Sequence, residues 1–252
     1  MRLNECTTLA TPRLVLRPYR RWHVPRYNEW MQSEVLRELT ASEPLTLEEE
    51  FEMQPVANGG DAVRSGWTGS WRLDQDKLTF IIHSRSPSAP SPSSSSPAEF
   101  LAAHDSPDSM IGDVNLFLHD LTPPSSPASP SASSAAAPPA PSAETPTRRA
   151  ELEIMLVPGL SPPRSGLALQ ALRAFLIYAS LALSLPPSAF FARVGFDNAP
   201  SLGLFRKLGF REGKRVEVFR EVELVWSGGG EFGWEDEGAY EEVRDERDEE
   251  RD

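Results

Sequence analysis

The sequence predicts an α/β (α+β) domain built on a mixed, mostly antiparallel sheet with helices on both faces. Apolar periodicity along the 252 residues gives the order β-α-α-β-β-β-α-β-α-β. Three strands follow one another without a helix between them, which favours pairing within one sheet. No βαβ repeat carries GxGxxG or GxxxxGK[ST], so a Rossmann or P-loop nucleotide site is not predicted.

The first half of the chain can be assigned in order. Alternation in RLVLRPY predicts a strand at 13–19, and short helices follow at 23–33 and 33–40. A third helix begins at Thr46, where Glu49 completes a capping box. The next three strands are LTFIIHS at 78–84, MIGDVNLFLHD at 110–120 and AELEIMLV at 150–157.

The second half alternates helices and strands. The pattern predicts a helix at about 162–183, a strand at 189–196, a helix at 199–209 and terminal strands at 216–221 and 223–226. Ser161 can cap the long helix and Pro162 suits its first turn. Its apolar run approaches bilayer-spanning length but contains Gln170 and Arg173, and a buried helix of an α/β domain explains it. No membrane partner is therefore expected.

Composition predicts one folded domain at 1–227 with disordered additions. Two tracts, at about 84–109 and 122–147, consist largely of Ser, Pro and Ala and hold too few large apolar residues to offset the entropy of ordering. We expect both to be disordered insertions. The tail at 228–252 carries 12 acidic and 3 basic side chains, which accounts for nine of the twelve excess negative charges, and is expected to be disordered.

Several functional classes are disfavoured. Without the tail the charge is nearly balanced, and no dense basic stripe suits a nucleic acid. The single cysteine, Cys6, cannot form an internal disulfide, and the first residues lack the apolar core of a secretory signal, so a cytoplasmic protein is expected, with the nucleus not excluded. No His, Cys and carboxylate cluster has metal-ligand spacing, so no metal is expected.

The strand AELEIMLV carries two candidate catalytic carboxylates. Alternation places Glu151 and Glu153 on one face, with Leu152, Ile154 and Leu156 on the other. A central strand normally buries both faces, so carboxylates there need water or a substrate. An edge or half-exposed strand explains either glutamate equally well.

The turn after this strand is a candidate phosphate site. Gly166 and Ala168 leave little side-chain bulk over the helix start, where backbone N–H groups and the helix dipole suit a pyrophosphate. An ordinary capped helix with small packing residues explains the same pattern. Further on, Asn198 ends a strand and Ser201 follows one turn later, so both can hydrogen-bond an amide-rich ligand.

The motif N-x-x-S-x-x-x-F-x-K-L-G-F at 198–210 resembles the end of the GCN5-related N-acetyltransferase (GNAT) fold. TPRLVLRPY is similar to the first strand of the ribosomal-protein N-terminal acetyltransferase type. The segments MRLNE, HVPRYNEWM, LTASEPLTLEEE, GDVNLFL and ELEIM resemble the eukaryotic N-acetyltransferase 9 family. The resemblance covers about 1–56, 77–84, 110–120 and 150–226.

This resemblance implies splayed central strands, with acetyl-CoA in a V-shaped slot between the strand of Glu153 and the strand at 191–196. Its pantetheine would pair with the main chain near 154–157, and its pyrophosphate would lie on the following turn. The residues assigned to acetyl-CoA are Ile154, Met155, Leu156, Val157, Arg164, Ser165, Gly166, Leu167, Ala168, Asn198, Ser201 and Phe205.

The sequence departs from the family pattern R/Q-x-x-G-x-G/A at its first position, which falls on Pro163, with Arg164 one place late. Pro162 and Pro163 remove two backbone donors, so we expect the amides of 165–167, aided by Arg164, to bind the phosphates, and to bind them more weakly than in relatives.

A second departure is Phe205, which stands where many members place a tyrosine as general acid. We expect the thiol to be protonated from solvent, Glu153 to act as general base with Glu151 second, and a backbone N–H near Met155 or Leu156 to stabilise the thioester oxygen. His83 and His119 border the predicted insertions and are disfavoured as bases.

The predicted function is therefore acetyl transfer from acetyl-CoA to an amine of a protein or peptide. The resemblance points to the N-termini of α- and β-tubulin, although the residues themselves do not select tubulin. The alternative is a catalytically weak or inactive GNAT-fold protein that docks on microtubules, which the departures at Pro163 and Phe205 favour.

Overall fold

The computed structural model describes residues 3–40, 42–52, 75–121, 148–233 and 240–244. In chain order its helices and strands are β1 Thr7–Ala10, β2 Leu14–Pro18, α1 Val24–Met31, α2 Glu34–Thr40, α3 Leu47–Glu52, β3 Lys77–Ser84, α4 Pro97–Ala103, β4 Met110–Asp120, β5 Arg148–Leu156, α5 Leu167–Leu183, β6 Phe190–Gly195, α6 Ala199–Leu208, β7 Phe210–Val216, β8 Glu221–Trp226 and β9 Glu241–Arg244.

The strands of the described residues form one nine-stranded sheet in the order β7-β8-β6-β5-β4-β3-β2-β1-β9. Neighbouring strands are antiparallel except β5 and β6, which are parallel. The predicted mixed, mostly antiparallel sheet is confirmed. Its single parallel pair, β5 with β6, lies in the interior of the sheet. The two strands are parallel because the chain crosses from β5 to β6 through α5.

Helices cover both faces of the sheet, as the sequence predicts. Consecutive residues of a strand point to opposite faces. Phe80 of β3 packs edge-on against Phe175 and Tyr178 of α5, with ring centroids 6.0 and 5.5 Å away. The next residue, Ile81, belongs to the other buried cluster, which contains Tyr27 and other side chains of α1. The main core therefore lies between the sheet and α5, and a smaller one lies under α1.

Two element boundaries differ from those predicted. The long helix begins at Leu167 and not near 162, because Gly166 takes a left-handed conformation with φ of 79° and only the following residues are helical. The predicted strand at 216–221 is also wrong. β7 ends at Val216, and residues 217–219 form a 3-10 turn before β8.

The prediction of disorder at 84–109 is wrong for the second half of that tract. Residues 97–103 form α4, whose capping box pairs Ser96 with Glu99. Phe100 and Leu101 are buried against Val15 of β2. Two large apolar side chains in an otherwise small-residue tract are therefore enough to anchor a short helix on the sheet.

The acidic tail also contains structure. Residues 241–244 form β9, which pairs with β1 and buries Val243. This pairing covers an edge of the sheet that β1 would otherwise leave open. The predicted insertion at 122–147 and the tail residues 234–239 and 245–252 lie outside the described residues. Within the described parts of the chain, no helix is long and apolar enough to cross a membrane.

Candidate active site

The two strands of the parallel pair separate soon after they meet. β5 and β6 pair only at Ala150 with Phe190 and at Glu151 with Phe191. Beyond these two rungs β5 continues to Leu156 and β6 to Gly195 without pairing to each other. The predicted V-shaped slot is thus present as a wedge that opens beyond Glu151. We call it the wedge.

Register decides which backbone groups of β5 face the wedge. Val157 donates its N–H to the carbonyl oxygen of Ile111 at 2.9 Å, so this pair is hydrogen-bonded in the ladder with β4. Hydrogen-bonded and non-hydrogen-bonded pairs alternate in an antiparallel ladder. The main-chain groups of Ile154 and Leu156 therefore point into the wedge. Those of Met155 and the N–H of Val157 are engaged by β4, and the Val157 carbonyl accepts the Leu160 N–H at 3.2 Å.

This result narrows the predicted cofactor contacts. Of the four main-chain positions predicted to bind acetyl-CoA, Ile154 and Leu156 are available to a ligand, whereas Met155 and Val157 are not. Between the two predicted donors for the thioester oxygen, the geometry favours Leu156.

Glu151 and Glu153 lie on the same face of β5, as alternation predicts. Glu151 is 8% exposed and sits at the last paired rung of the wedge. Its Oε2 lies 2.9 Å from Nε2 of His119 and 3.1 Å from Nη1 of Arg193. Because these partners already hold its carboxylate, Glu151 is less suited than Glu153 to accept a proton.

Glu153 borders the opening of the wedge. Its side chain is accessible to solvent, yet protein atoms around its carboxyl group displace enough water to raise its pKa to about 7. The negative charges of Glu151 and Asp113 raise this pKa further, while Lys77 and Arg193 oppose the shift. A carboxylate with this pKa is suited to general-base catalysis near neutral pH.

A buried polar network lies beside Glu153 on the same face of the sheet. Asn115 donates to Oδ2 of Asp113 at 2.6 Å and accepts from the hydroxyl of Thr79 at 2.7 Å. The hydroxyl of Tyr27 lies 3.5 Å from the same Asp113 oxygen. Burial raises the pKa of Asp113 to about 6, although Asn115, Lys77 and Tyr27 favour the charged form. Among the described residues, Asp113 Oδ1 is buried without a hydrogen-bond partner.

Further acidic and aromatic groups surround this network. The hydroxyl of Tyr19 lies 3.2 Å from Glu50, whose pKa is raised by burial. The Lys77 ammonium lies 4.9 Å from the centre of the Phe117 ring. We call Glu50, Asp113 and Glu153, which all interact electrostatically with Lys77, the acidic cluster. The side chains of Glu50 and Asp113 are buried, whereas that of Glu153 is exposed. The excess of carboxyl groups in the acidic cluster suits an amine, which approaches as a cation.

The turn before α5 fits a phosphate group. No atom lies within 4 Å of the Cβ position of Gly166, which leaves room for a ligand. The first N–H groups of a helix lack intrahelical acceptors, and α5 has neither a side-chain cap nor an acidic residue in its first turn. Leu167 and Ala168 therefore present donors together with the positive end of the helix dipole.

Two hydrogen bonds and one backbone conformation bear on the phosphate site predicted at this turn. The Ser165 N–H donates to the Pro162 carbonyl at 3.3 Å, so this predicted phosphate donor is already engaged. Arg13, which lies in the loop between β1 and β2, donates to the Ser165 carbonyl at 2.7 Å. This hydrogen bond holds the turn against the start of β2. Arg164, at φ of 57°, also takes a left-handed conformation.

The motif at 198–210 is largely explained by folding. Asn198 caps α6, because its Oδ1 accepts the Ser201 N–H at 3.1 Å. Phe205 is 2% exposed and packs edge-on against Phe210 at 5.4 Å. Gly209 ends the helix in a left-handed conformation. A role of Asn198, Ser201 and Phe205 in cofactor binding stays a prediction.

Sequence reasoning does not select four residues of this region: Asp113, Asn115, Tyr27 and Arg193. The alternation of MIGDVNLFLHD already places Asp113, Asn115 and His119 on one face of β4. Their position beside Glu153 depends on the register of β4 with β5, which pairs Asn115 with Glu153. His119 is disfavoured in the sequence because it borders an insertion, yet it lies within β4 and bonds to Glu151.

Among the described residues, no group of three or more His, Cys, Asp and Glu side chains could hold a metal ion.

Comparison with curated proteins finds close relatives. The chain is 38% identical over 224 residues to alpha/beta-tubulin-N-acetyltransferase 9 of Drosophila melanogaster, covering 89% of this chain and 88% of the relative. It is 37% identical over 229 residues to the N-acetyltransferase 9-like protein of Schizosaccharomyces pombe, covering 89% and 97%. The human alpha/beta-tubulin-N-acetyltransferase 9 is 36% identical over 225 residues, covering 89% and 84%. No family model matches the sequence.

Solved structures support the fold. An acetyltransferase from Agrobacterium tumefaciens superposes with a TM-score of 0.51 at 17% identity, covering 87% of this chain and 94% of that chain. RimL, the ribosomal L7/L12 alpha-N-protein acetyltransferase, solved in complex with coenzyme A, gives 0.50 at 12% identity, covering 86% and 94%. The chain therefore belongs to the N-acetyltransferase 9 family, shares its fold with solved acetyltransferases and is an N-acetyltransferase.

Proposed function

We propose that this chain transfers the acetyl group of acetyl-CoA to the amino group of a protein N-terminus, with tubulin as the acceptor. The observation that carries the proposal is the separation of β5 from β6 directly beside Glu153. This separation leaves an unpaired strand edge and a carboxylate with a pKa of about 7 at the same place.

The residues present fit acetyl-CoA. The open edge of β5 offers the main-chain groups of Ile154 and Leu156, which can pair with the amides of a pantetheine arm. The first turn of α5, with open space at Gly166, offers N–H groups to a pyrophosphate. Arg164 can add a positive charge to this turn. When bound, acetyl-CoA supplies an activated acetyl thioester.

The acidic cluster, through the exposed side chain of Glu153, would receive the acceptor amine. An amine must lose a proton to become nucleophilic, and Glu153 is positioned to take it directly or through a water molecule. Glu153 removes the amine proton while the N–C bond replaces the C–S bond, whose electron pair leaves with sulfur and takes a proton from solvent. The Leu156 N–H would stabilise the carbonyl oxygen during this exchange.

The choice of acceptor rests on the relatives. Those from fly and human carry tubulin in their names, and the aligned region covers 89% of this chain. The negative charge of the acidic cluster agrees with a cationic amine but does not itself distinguish tubulin from another N-terminus.

Two experiments in sequence test the proposal. Acetyl-CoA should raise the melting temperature of the purified chain, because a ligand that binds only the native state stabilises it. The chain should then acetylate synthetic peptides with the N-terminal sequences of α- and β-tubulin, detected by mass spectrometry. Peptides whose α-amino group is already blocked serve as the control.

The outcomes separate the competing functions. Acetylation of the tubulin peptides supports the proposal. Stabilisation by acetyl-CoA without any transfer would favour the catalytically inactive docking protein. Transfer to other free N-termini but not to tubulin peptides would retain the reaction and reject the acceptor.

A further inference from the structure

Arg193 occupies a defined place at the wedge. It lies on β6 two residues beyond Phe191, just as Glu153 lies on β5 two residues beyond Glu151. A continued parallel ladder would pair Glu153 with Arg193, but the strands have separated there. The opening of the wedge is thus flanked by a carboxylate on one strand and a guanidinium on the other.

Two contacts hold the guanidinium of Arg193. Its Nη1 lies 3.1 Å from Oε2 of Glu151. Its central carbon lies 5.4 Å from the centre of the Phe191 ring. A guanidinium has five N–H donors, and this ion pair uses only part of them. The Arg193 side chain is about half exposed, so the remaining donors can meet a ligand in the wedge.

Acetyl transfer is favoured by a positively charged group near the coenzyme sulfur. The sulfur gains negative charge as the C–S bond breaks, and Glu151 and Glu153 nearby oppose such charge. Phe205 carries no proton to give and is packed in the core. A positive group on the opposite strand offsets this repulsion, as donors aimed at developing charge do in other active sites.

We propose that Arg193 stabilises the negative charge on the coenzyme sulfur as the thioester breaks, and that Glu151 positions Arg193 for this role. The inference rests on the proposed function. In this step the electron pair of the C–S bond leaves with sulfur, Arg193 balances the resulting charge, and a proton from solvent then neutralises it. Arg193 would therefore be a catalytic residue, and Glu151 a positioning residue.

A purely structural role makes a different prediction. If the Glu151–Arg193 pair only ties β5 to β6, its loss would affect binding of every coenzyme derivative alike. If Arg193 faces the sulfur, it must favour the thiolate form of coenzyme A, because a nearby cation lowers the pKa of a thiol.

Arg149 provides a matched control. Its guanidinium carbon lies 4.0 Å from the centre of the same Phe191 ring, and it is ion-paired with Glu223 at 2.9 Å. It precedes the paired residues of β5 and therefore lies on the closed side of the wedge. The two arginines share a residue type, an aromatic contact and an acidic partner, but only Arg193 borders the opening.

The test measures equilibrium dissociation constants of coenzyme A and of desulfo-coenzyme A for the full chain between pH 6 and pH 9. In the unsubstituted chain the preference for coenzyme A should grow with pH as the thiolate forms. In Arg193→Gln the preference for coenzyme A over desulfo-coenzyme A, measured as the ratio of their dissociation constants, should fall about tenfold. This change is equivalent to one unit in the pKa of the bound thiol. Arg193→Lys should restore part of the preference, and Arg149→Gln should retain it.

Binding of desulfo-coenzyme A serves as a folding check, because it should be nearly equal in all variants. A preference that is independent of pH in the unsubstituted chain would overturn the inference, as would equal losses in Arg193→Gln and Arg149→Gln. If the unsubstituted chain binds neither molecule, the proposed function itself fails. If both bind with equal affinity at every pH, only the role of Arg193 fails.

Discussion

Glu153 and Arg193 occupy equivalent positions on β5 and β6, two residues past the last rung formed by Glu151 and Phe191. Both lie on the face of the sheet opposite α5. Arg193 forms its ion pair with Glu151 and not with Glu153, so the carboxylate of Glu153 is left to the wedge. Arg193 still lowers the pKa of Glu153, but burial and the neighbouring carboxylates raise it by more.

Glu153→Gln should separate catalysis from cofactor binding. The amide keeps the size of the side chain but cannot accept the amine proton, so we expect turnover to fall by about a hundredfold or more. Acetyl-CoA affinity should change little, because the predicted cofactor contacts are main-chain groups. Steady-state kinetics and calorimetric binding measure the two effects. Glu223→Gln on β8 is the control, and unchanged turnover in Glu153→Gln would remove the role of Glu153.

The pH dependence of kcat/KM should report the titration of Glu153. The base works only when deprotonated, and its pKa is raised to about 7, so activity should rise with pH through that range. Arg193→Gln should shift this rise to higher pH, because Arg193 lowers the pKa of Glu153. Rates of peptide acetylation at saturating acetyl-CoA between pH 5.5 and pH 9 measure the profile. A profile that shows no rise between pH 5.5 and pH 8, as a glutamate with an ordinary pKa would give, would contradict this account.

Asp113 should make stability depend on pH. Its pKa is raised from 3.8 to about 6 by folding, so the native state binds more protons than the unfolded state between these values. Stability contributed by the protonated carboxyl is therefore present below the unfolded pKa and is lost as pH rises through 6.

Asp113→Asn removes this titration. Between pH 4 and pH 7 the unfolding free energy of the unsubstituted chain should fall by about 2 kcal/mol more than that of the variant. This value allows for the electrostatic coupling between Asp113 and Glu153. Urea unfolding at several pH values measures the difference. Parallel pH profiles for the two proteins would show that Asp113 has an ordinary pKa in the folded state.

Gly166→Ala should weaken acetyl-CoA binding beyond its effect on stability. Both Gly166 and Gly159 have positive φ, at 79° and 84°, and both have open space at the Cβ position. Alanine at either position should therefore cost about 1 kcal/mol of unfolding free energy. Only Gly166 adjoins the first turn of α5, so only its methyl group should obstruct a pyrophosphate.

Thermal unfolding and acetyl-CoA titration of the two variants measure these effects separately. Equal acetyl-CoA affinity in Gly166→Ala and Gly159→Ala would argue against a phosphate site at this turn.

The sequence predicts the parts of the site that depend on one element. The alternation in β5 is local, so the sequence alone places Glu151 and Glu153 on one face of the strand. Asp113 and Arg193 depend on how β5 is registered against β4 and β6, and no local pattern specifies that register. The same register decides that Ile154 and Leu156, but not Met155 and Val157, face the wedge.

The errors in the fold have physical causes. Ser161 and the two prolines after it are typical of a helix start, but the left-handed residues Arg164 and Gly166 delay the helix. The tract at 84–109 is polar in composition, yet Phe100 is fully buried and orders the residues around it. Average composition does not reveal a single anchoring side chain.

The central claim is that acetyl-CoA binds in the wedge between β5 and β6. The most direct measurement is residue-resolved amide hydrogen exchange with and without acetyl-CoA. We expect protection of the Ile154, Leu156 and Leu167 amides, and no change at Val157, whose N–H is already bonded to Ile111. Bound acetyl-CoA that leaves exchange at Ile154 and Leu156 unaltered would contradict the claim.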